Sequence, residues 1–231
     1  MSKKLILACM AVAAFAAFVV LPATASATRL CETTTDDVTC DNIAINQNIR
    51  GHLTGNSVMT DANGNTLLTC STAEITGLLT KNSGGVVEGD IETAHFTGTG
   101  ANGECTGSFG NVTVDTNIGN GVPWCLSVNN SDTFKLRGNS CTKETRSITF
   151  VLTSTTVGTC KYNRTAAAEG TITTDETAGT SEDAEGTLTA VEWTKEEGGI
   201  LCPSVGRLDM TFTLETDKSP ATEPLWLKKG E

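Results

Sequence analysis

The chain has 231 residues with a formal net charge of −11, 27 acidic against 16 basic side chains, only 5% aromatics, nine cysteines and 40 threonines. That length buries a core and holds one or two domains. The acidic balance excludes nucleic acid and anionic membrane as natural partners, and two histidines, His52 and His95, leave little general-base or metal-ligating chemistry. Abundant Thr and Gly, with few Leu or Ala runs beyond the N-terminus, predict strands rather than helices.

Lys3 and Lys4 precede an apolar stretch from Leu5 to Leu21, followed by Ala25-Ser26-Ala27. This is the order of a secretory signal peptide over 1–27, with cleavage expected after Ala27. The run is too short and has the wrong flanks for a stop-transfer helix, and no second long apolar segment follows, so the mature chain is expected to carry no transmembrane helix and to be secreted or cell-surface associated. Cleavage removes two positive charges and Cys9, one of the nine cysteines, leaving an even set. In an exported β protein that set reads as disulfides, and no C-x2-C pair or Cys–His cluster suggests a metal.

Period-two alternation predicts antiparallel strands at Ile43–Ile45, at Ile148–Thr153, and at Leu208–Leu214, each with one face buried. Asn63-Gly64 predicts a type I′ hairpin turn. The oxygen-rich run Asp61-Ala62-Asn63-Gly64-Asn65 reads as that turn rather than a calcium loop, because Thr66 and Thr72 stand where an EF-hand needs Gly and Glu. Asp175 to Asp183 forms an acidic insertion between strands, read as a solvated tip.

Two halves of the chain resemble each other. Glu88-Gly89-Asp90-Ile91 matches Glu185-Gly186-Thr187-Leu188, Phe96-Thr97 matches Trp193-Thr194, and Cys105 matches Cys202. Thr69-Cys70 matches Thr159-Cys160, Gly77 matches Gly170, and Pro123-Trp124 matches Pro224-Leu225-Trp226. The expected architecture is an all-β, disulfide-stapled antiparallel sandwich of two homologous units, 28–128 and 129–231, either as two domains or as one shared sandwich. The repeat predicts disulfides Cys70–Cys105 and Cys160–Cys202. Cys31–Cys40 and Cys125–Cys141 then follow as local pairs, with Cys31 to Cys125 or Cys141 as the alternative.

No catalytic residue, cofactor or metal site is expected. No nucleophile elbow, P-loop or dinucleotide fingerprint occurs. His95 sits opposite Phe96 in face and aligns with Glu192, as a solvent-facing strand residue does, while His52 has no counterpart and fits a hydrolase only if folding supplies a nucleophile. Trp124, Trp193 and Trp226 occupy repeated positions and are expected in the core; Tyr162 and Phe109 are the candidate exposed ligand contacts. Three sequons occur, at Asn111, Asn129 and Asn163.

The order Thr69-Cys70, Ile75-Thr76-Gly77, Ala94-x-Phe96-Thr97-Gly98, Cys105, Pro123-Trp124, Gly158-Thr159-Cys160, Gly170-Thr171-Ile172 and Cys202 resembles a group of threonine-rich exported bacterial proteins. That group includes the PraB-type biofilm-associated surface proteins labelled activators of alkane oxidation, and uncharacterised actinobacterial secreted relatives. The resemblance implies a non-catalytic structural, adhesive or binding protein whose partner is an extracellular protein or glycan. A secreted carbohydrate-binding module is the alternative reading, and a carboxylate-based hydrolase a further one. Cys31, Cys40, Cys125, Cys141 and the acidic insertion depart from the group's pattern.

Overall fold

The computed structural model describes residues 28–32, 41–117, 121–129, 132–173, 184–217 and 225–228. The predicted leader, Cys40 and the acidic insertion lie outside them. Among the described residues all regular structure is strand apart from one 3-10 turn, and every ladder is antiparallel. The all-β expectation is therefore met.

In chain order the first strands are β1 (Arg29–Glu32), β2 (Asp41–Asn42), β3 (Asn48–Leu53), β4 (Ser57–Thr60) and β5 (Thr66–Cys70). A long hairpin follows, β6 (Thr72–Ser83) and β7 (Val86–Thr97), then β8 (Cys105–Gly107), β9 (Gly110–Asp115), β10 (Trp124–Val128) and β11 (Thr133–Gly138). The remainder is β12 (Ile148–Ser154), β13 (Gly158–Arg164), β14 (Ala168–Thr173), a second long pair β15 (Glu185–Glu197) and β16 (Val205–Thr216), and β17 (Leu225–Lys228).

All strands from β3 to β16 close into one ring, with β15 and β16 also paired across it. That cross-pairing divides the ring into two circuits. One runs β3-β6-β7-β10-β11-β14-β15-β16 and back to β3. The other runs β4-β5-β8-β9-β12-β13-β15-β16 and back to β4. Closure leaves no unpaired edge within the ring, the cleanest way for an all-β protein to avoid adding a foreign strand. Period-two patterning identifies strands but carries no information on closure, which is why composition and alternation suggest only layers.

The strands do not stay within their own halves of the sequence. β16 pairs with β3 and β4, while β9 and β10 pair with β12 and β11. One apolar cluster, from Leu30 to Leu227, unites both halves. β1 and β17 meet likewise, in a separate three-stranded sheet with β2. The buried Asn82 amide near the end of β6 ties that sheet to the ring: Leu30 N–H donates to Asn82 Oδ1 at 2.8 Å, and Asn82 Nδ2 donates to the Leu30 and Ile43 carbonyls at 2.8 and 3.2 Å. Replacing that amide leaves buried backbone groups unsatisfied, at about 1–3 kcal/mol.

Local expectations fare unevenly. β16 alternates as predicted, with Met210, Phe212 and Leu214 buried. In β12 both faces are buried, Thr149 and Val151 as well as Ile148 and Leu152, so its alternation does not mark one wet face. Ile43–Ile45 is not a strand: Ile43 is buried, Ile45 is exposed, and Asn46 takes a positive φ that turns the chain into β3. At the β4–β5 hairpin only Gly64 has positive φ, so the turn is not type I′. Asp61 organises it instead, its carboxylate accepting from the Asn63 and Asn65 backbone N–H groups and from the Asn65 side chain, contacts led by Asn65 that hold its carboxyl below the usual range.

Two glycines let aromatic rings lie against the ladders. Gly186 stands directly opposite Phe212, and a Cβ there meets the ring at 2.5 Å; Gly170 stands opposite Phe134 in the same relation. The two rings meet edge-to-face with centroids 5.5 Å apart. Gly186→Ala should therefore lower stability by about 1–3 kcal/mol through overpacking. Gly199→Ala, with open space around its Cβ, should change it little. Chemical denaturation of the two variants checks both outcomes, and equal stabilities would contradict the packing assigned to Phe212. In hydrogen exchange, Asn82→Ala should speed the Leu30 amide while leaving the β15–β16 ladder protected.

Candidate functional site

The ring encloses an apolar cavity of about 80 Å³. Its wall draws on both circuits: Ile49, Met59, Leu68, Ile75, Ile91 and Phe96 from the first half of the chain, and Phe134, Phe150, Leu152, Leu188, Met210 and Phe212 from the second. The inward positions of β16 contribute Leu208, Met210, Phe212 and Leu214 in succession, the alternation visible in sequence.

Trp124 and Trp193 also line the cavity, 6% and 2% exposed. Their indole nitrogens are sealed from solvent without a hydrogen-bond partner among the described residues. Arg50 Nε and Glu215 Oε1 also lack a hydrogen bond among them, but these two residues face each other in the β3–β16 register and the guanidinium reaches Glu74 at 3.1 Å, so they belong to the outer charged group. Among the other polar side chains of the wall, Thr116 Oγ1 donates to the Ala94 carbonyl at 2.7 Å. The wall thus offers buried donors in an otherwise apolar setting.

An aromatic series borders it. Trp193 meets Phe150 edge-on at 5.0 Å, and Phe150 stacks with Tyr162 at 5.8 Å. Tyr162 is fully buried and its hydroxyl donates to the Pro203 carbonyl at 3.1 Å; Phe109 is 5% exposed. The expectation that these two residues form an exposed ligand contact is corrected: both belong to the core. Lack of an aromatic counterpart in the other half does not signal exposure, because the facing strands supply different neighbours. Trp226 is half-buried on β17 and donates to the Glu32 carbonyl at 3.2 Å, so it does not share the environment of Trp124 on β10.

The outer face is polar. Thr72 and Thr97 pair across β6–β7 at 2.5 Å, and Thr187 with Thr211 across β15–β16 at 3.2 Å. His95 is exposed opposite Glu74, and Glu192 is exposed on β15. His52 Nε2 contacts the Glu215 carboxylate, in a charged group that includes Arg50 and Glu74. A carboxylate can orient an imidazole, but a hydrolase also needs a nucleophile on the ring's other nitrogen, and this pair supplies none. Among the described residues no group of three His, Cys, Asp or Glu is placed to hold a metal ion.

Disulfides link Cys70 to Cys105, Cys125 to Cys141 and Cys160 to Cys202, and Cys31 is also disulfide-bonded. Asp90 supports the second: the Cys141 N–H donates to its Oδ1 at 2.6 Å and the Ser140 hydroxyl to its Oδ2 at 2.5 Å. No helix among the described residues is long and apolar enough to cross a membrane. No family model, curated protein or solved structure matches the chain.

Burial pushes the Tyr162 phenol up from its ordinary 10.0 to about 12. Because the folded value is raised, the associated stability is fully present below pH 10 and is lost as pH rises through 12. Tyr162 is the sole tyrosine, so phenolate absorbance near 295 nm reads it directly. It should titrate near pH 10 in denaturant, and in native protein only near pH 12 or together with unfolding. A native transition at pH 10 would contradict its burial.

Proposed function

We propose that this protein is exported and serves, without catalysis, as a structural, adhesive or binding element of the cell surface or extracellular matrix. The observation that carries the reading is its set of disulfides, since such bonds persist in oxidising compartments and are rare where thiols are kept reduced. Loops of 35, 16 and 42 residues are closed, each bridge contributing about 3–4 kcal/mol on the chain-entropy account. The polar threonine pairs on the outer face and the resemblance to exported threonine-rich β proteins support the same reading. Its partner is an extracellular protein or glycan, met by the outer face.

We read the architecture as an ancestral unit used twice and interleaved. β3 pairs with β6 as β11 pairs with β14, and β4 with β5 as β12 with β13. Gly89 faces Leu126 as Gly186 faces Phe212, so β9 and β10 together take the part that β16 takes alone. The carbohydrate-module alternative draws no support from Trp124, Trp193, Tyr162 or Phe109, whose rings are buried.

Fractionation of the source organism, with N-terminal sequencing and non-reducing peptide mapping, tests the proposal. Expected is a surface or culture-fluid species beginning at Thr28 and carrying the 70–105, 125–141 and 160–202 links. A cytoplasmic pool with free thiols would overturn it.

A further inference from the structure

We propose that the cavity is a binding site for a short aliphatic molecule carrying a carbonyl oxygen. The reading stands apart from the export proposal, since it rests only on the interior of the ring. Size comes first: at about 10–15 Å³ for each water-sized occupant, 80 Å³ accepts on the order of five to eight heavy atoms. Polarity comes next. The wall is apolar almost throughout, which favours a hydrocarbon body.

The decisive feature is the mismatch in hydrogen bonding. A buried indole N–H left unpaired costs free energy, so most buried tryptophans of folded proteins find an acceptor. Here two do not, among the described residues, and both line the same cavity. These nitrogens are shut off from solvent, so an acceptor would come from what occupies the cavity. Water fits poorly, because a buried water is held by about three polar partners including acceptors, and this wall is apolar almost throughout with the Thr116 hydroxyl already engaged. A ketone, aldehyde or ester oxygen accepts without needing to donate. An alcohol would bring an unpaired donor of its own, and an alkane would leave the indoles as they are.

Titration of the oxidised protein with 2-hexanone and with n-hexane, followed by the indole ¹H–¹⁵N signals, tests this. The three tryptophans give three such signals, and Trp226, already bonded to the Glu32 carbonyl, is the internal control. Expected is that 2-hexanone shifts Trp124 or Trp193 and leaves Trp226 still, with hexane binding about fivefold more weakly for one hydrogen bond lost. Trp193→Phe and Trp124→Phe should narrow that preference while retaining hexane binding. If one variant fails to fold, the comparison of the two probes on the unsubstituted protein still decides. Absence of binding at millimolar probe, equal affinity for both probes, or a shift at Trp226 alone would overturn the proposal.

Discussion

The pairing of β15 with β16 is the constraint on which the rest of the structure depends. It runs from Glu185–Thr213 to Thr194–Val205 and belongs to both circuits of the ring. At one end the flanking strands are β14 and β3; at the other they are β13 and β4. A ladder that serves two circuits has to change direction between them. The change falls at the register shift between Leu188 and Val191, where Ala190 takes a φ of 49° and its N–H donates to Asp209 Oδ1 at 2.8 Å. A bulge increases local twist and redirects a strand, and the Asp209 carboxylate satisfies the amide that the bulge removes from the ladder.

Packing on that ladder then determines the interior. Gly186 lacks the side chain that would push Phe212 away, so the ring of Phe212 lies against the backbone and reaches Phe134 on the opposite wall. Farther along, Trp193 stands opposite Gly206, and Met59 occupies the space that a side chain there would fill. Glycine on one strand and a large side chain on its neighbour is a way to bring walls together without excess volume. The disulfides reach the same core mostly from strand ends and turns: Cys70 ends β5, Cys105 begins β8, and Cys202 lies in the turn before β16, while Cys160 lies within β13. They constrain the connections, while the aromatic and aliphatic side chains set the interior.

Much of the secondary structure was legible because Thr-rich alternation and Gly-bounded runs report directly on a pleated chain. The cysteine pairs 70–105 and 160–202 were legible for a different reason, as the two halves place Cys70 and Cys160, and Cys105 and Cys202, at like points in the order of strands, whereas 125–141 followed only as a remaining local pair with Cys31 as a rival partner. Burial of Tyr162 and Phe109 was not legible. Tyr162 lies between polar Lys161 and Asn163 in sequence, yet in register it faces Phe150, a partner brought from β12. Phe109 sits in the two-residue turn joining β8 to β9, a place where aromatic side chains ordinarily meet solvent, but Ser154 of β12 hydrogen-bonds its carbonyl and holds the turn against the core. Ring closure is invisible to local pattern for the same reason, since every pairing that closes it joins segments far apart in the chain.

The distribution of polar groups between the two faces bears on where chemistry resides. Outside, threonine hydroxyls pair with each other and charges pair across strands, so that surface has donors and acceptors in balance. Inside, two indole N–H groups lack an acceptor among the described residues, while the Thr116 hydroxyl is engaged with the Ala94 carbonyl. Interior polar groups left alone weaken a fold, and here they lie in a ring whose strands are otherwise fully paired and whose connections are stapled. Where a fold keeps its local rules almost everywhere, the few places that break them fall most often at functional sites, which is the reason to look for an occupant between Trp124 and Trp193.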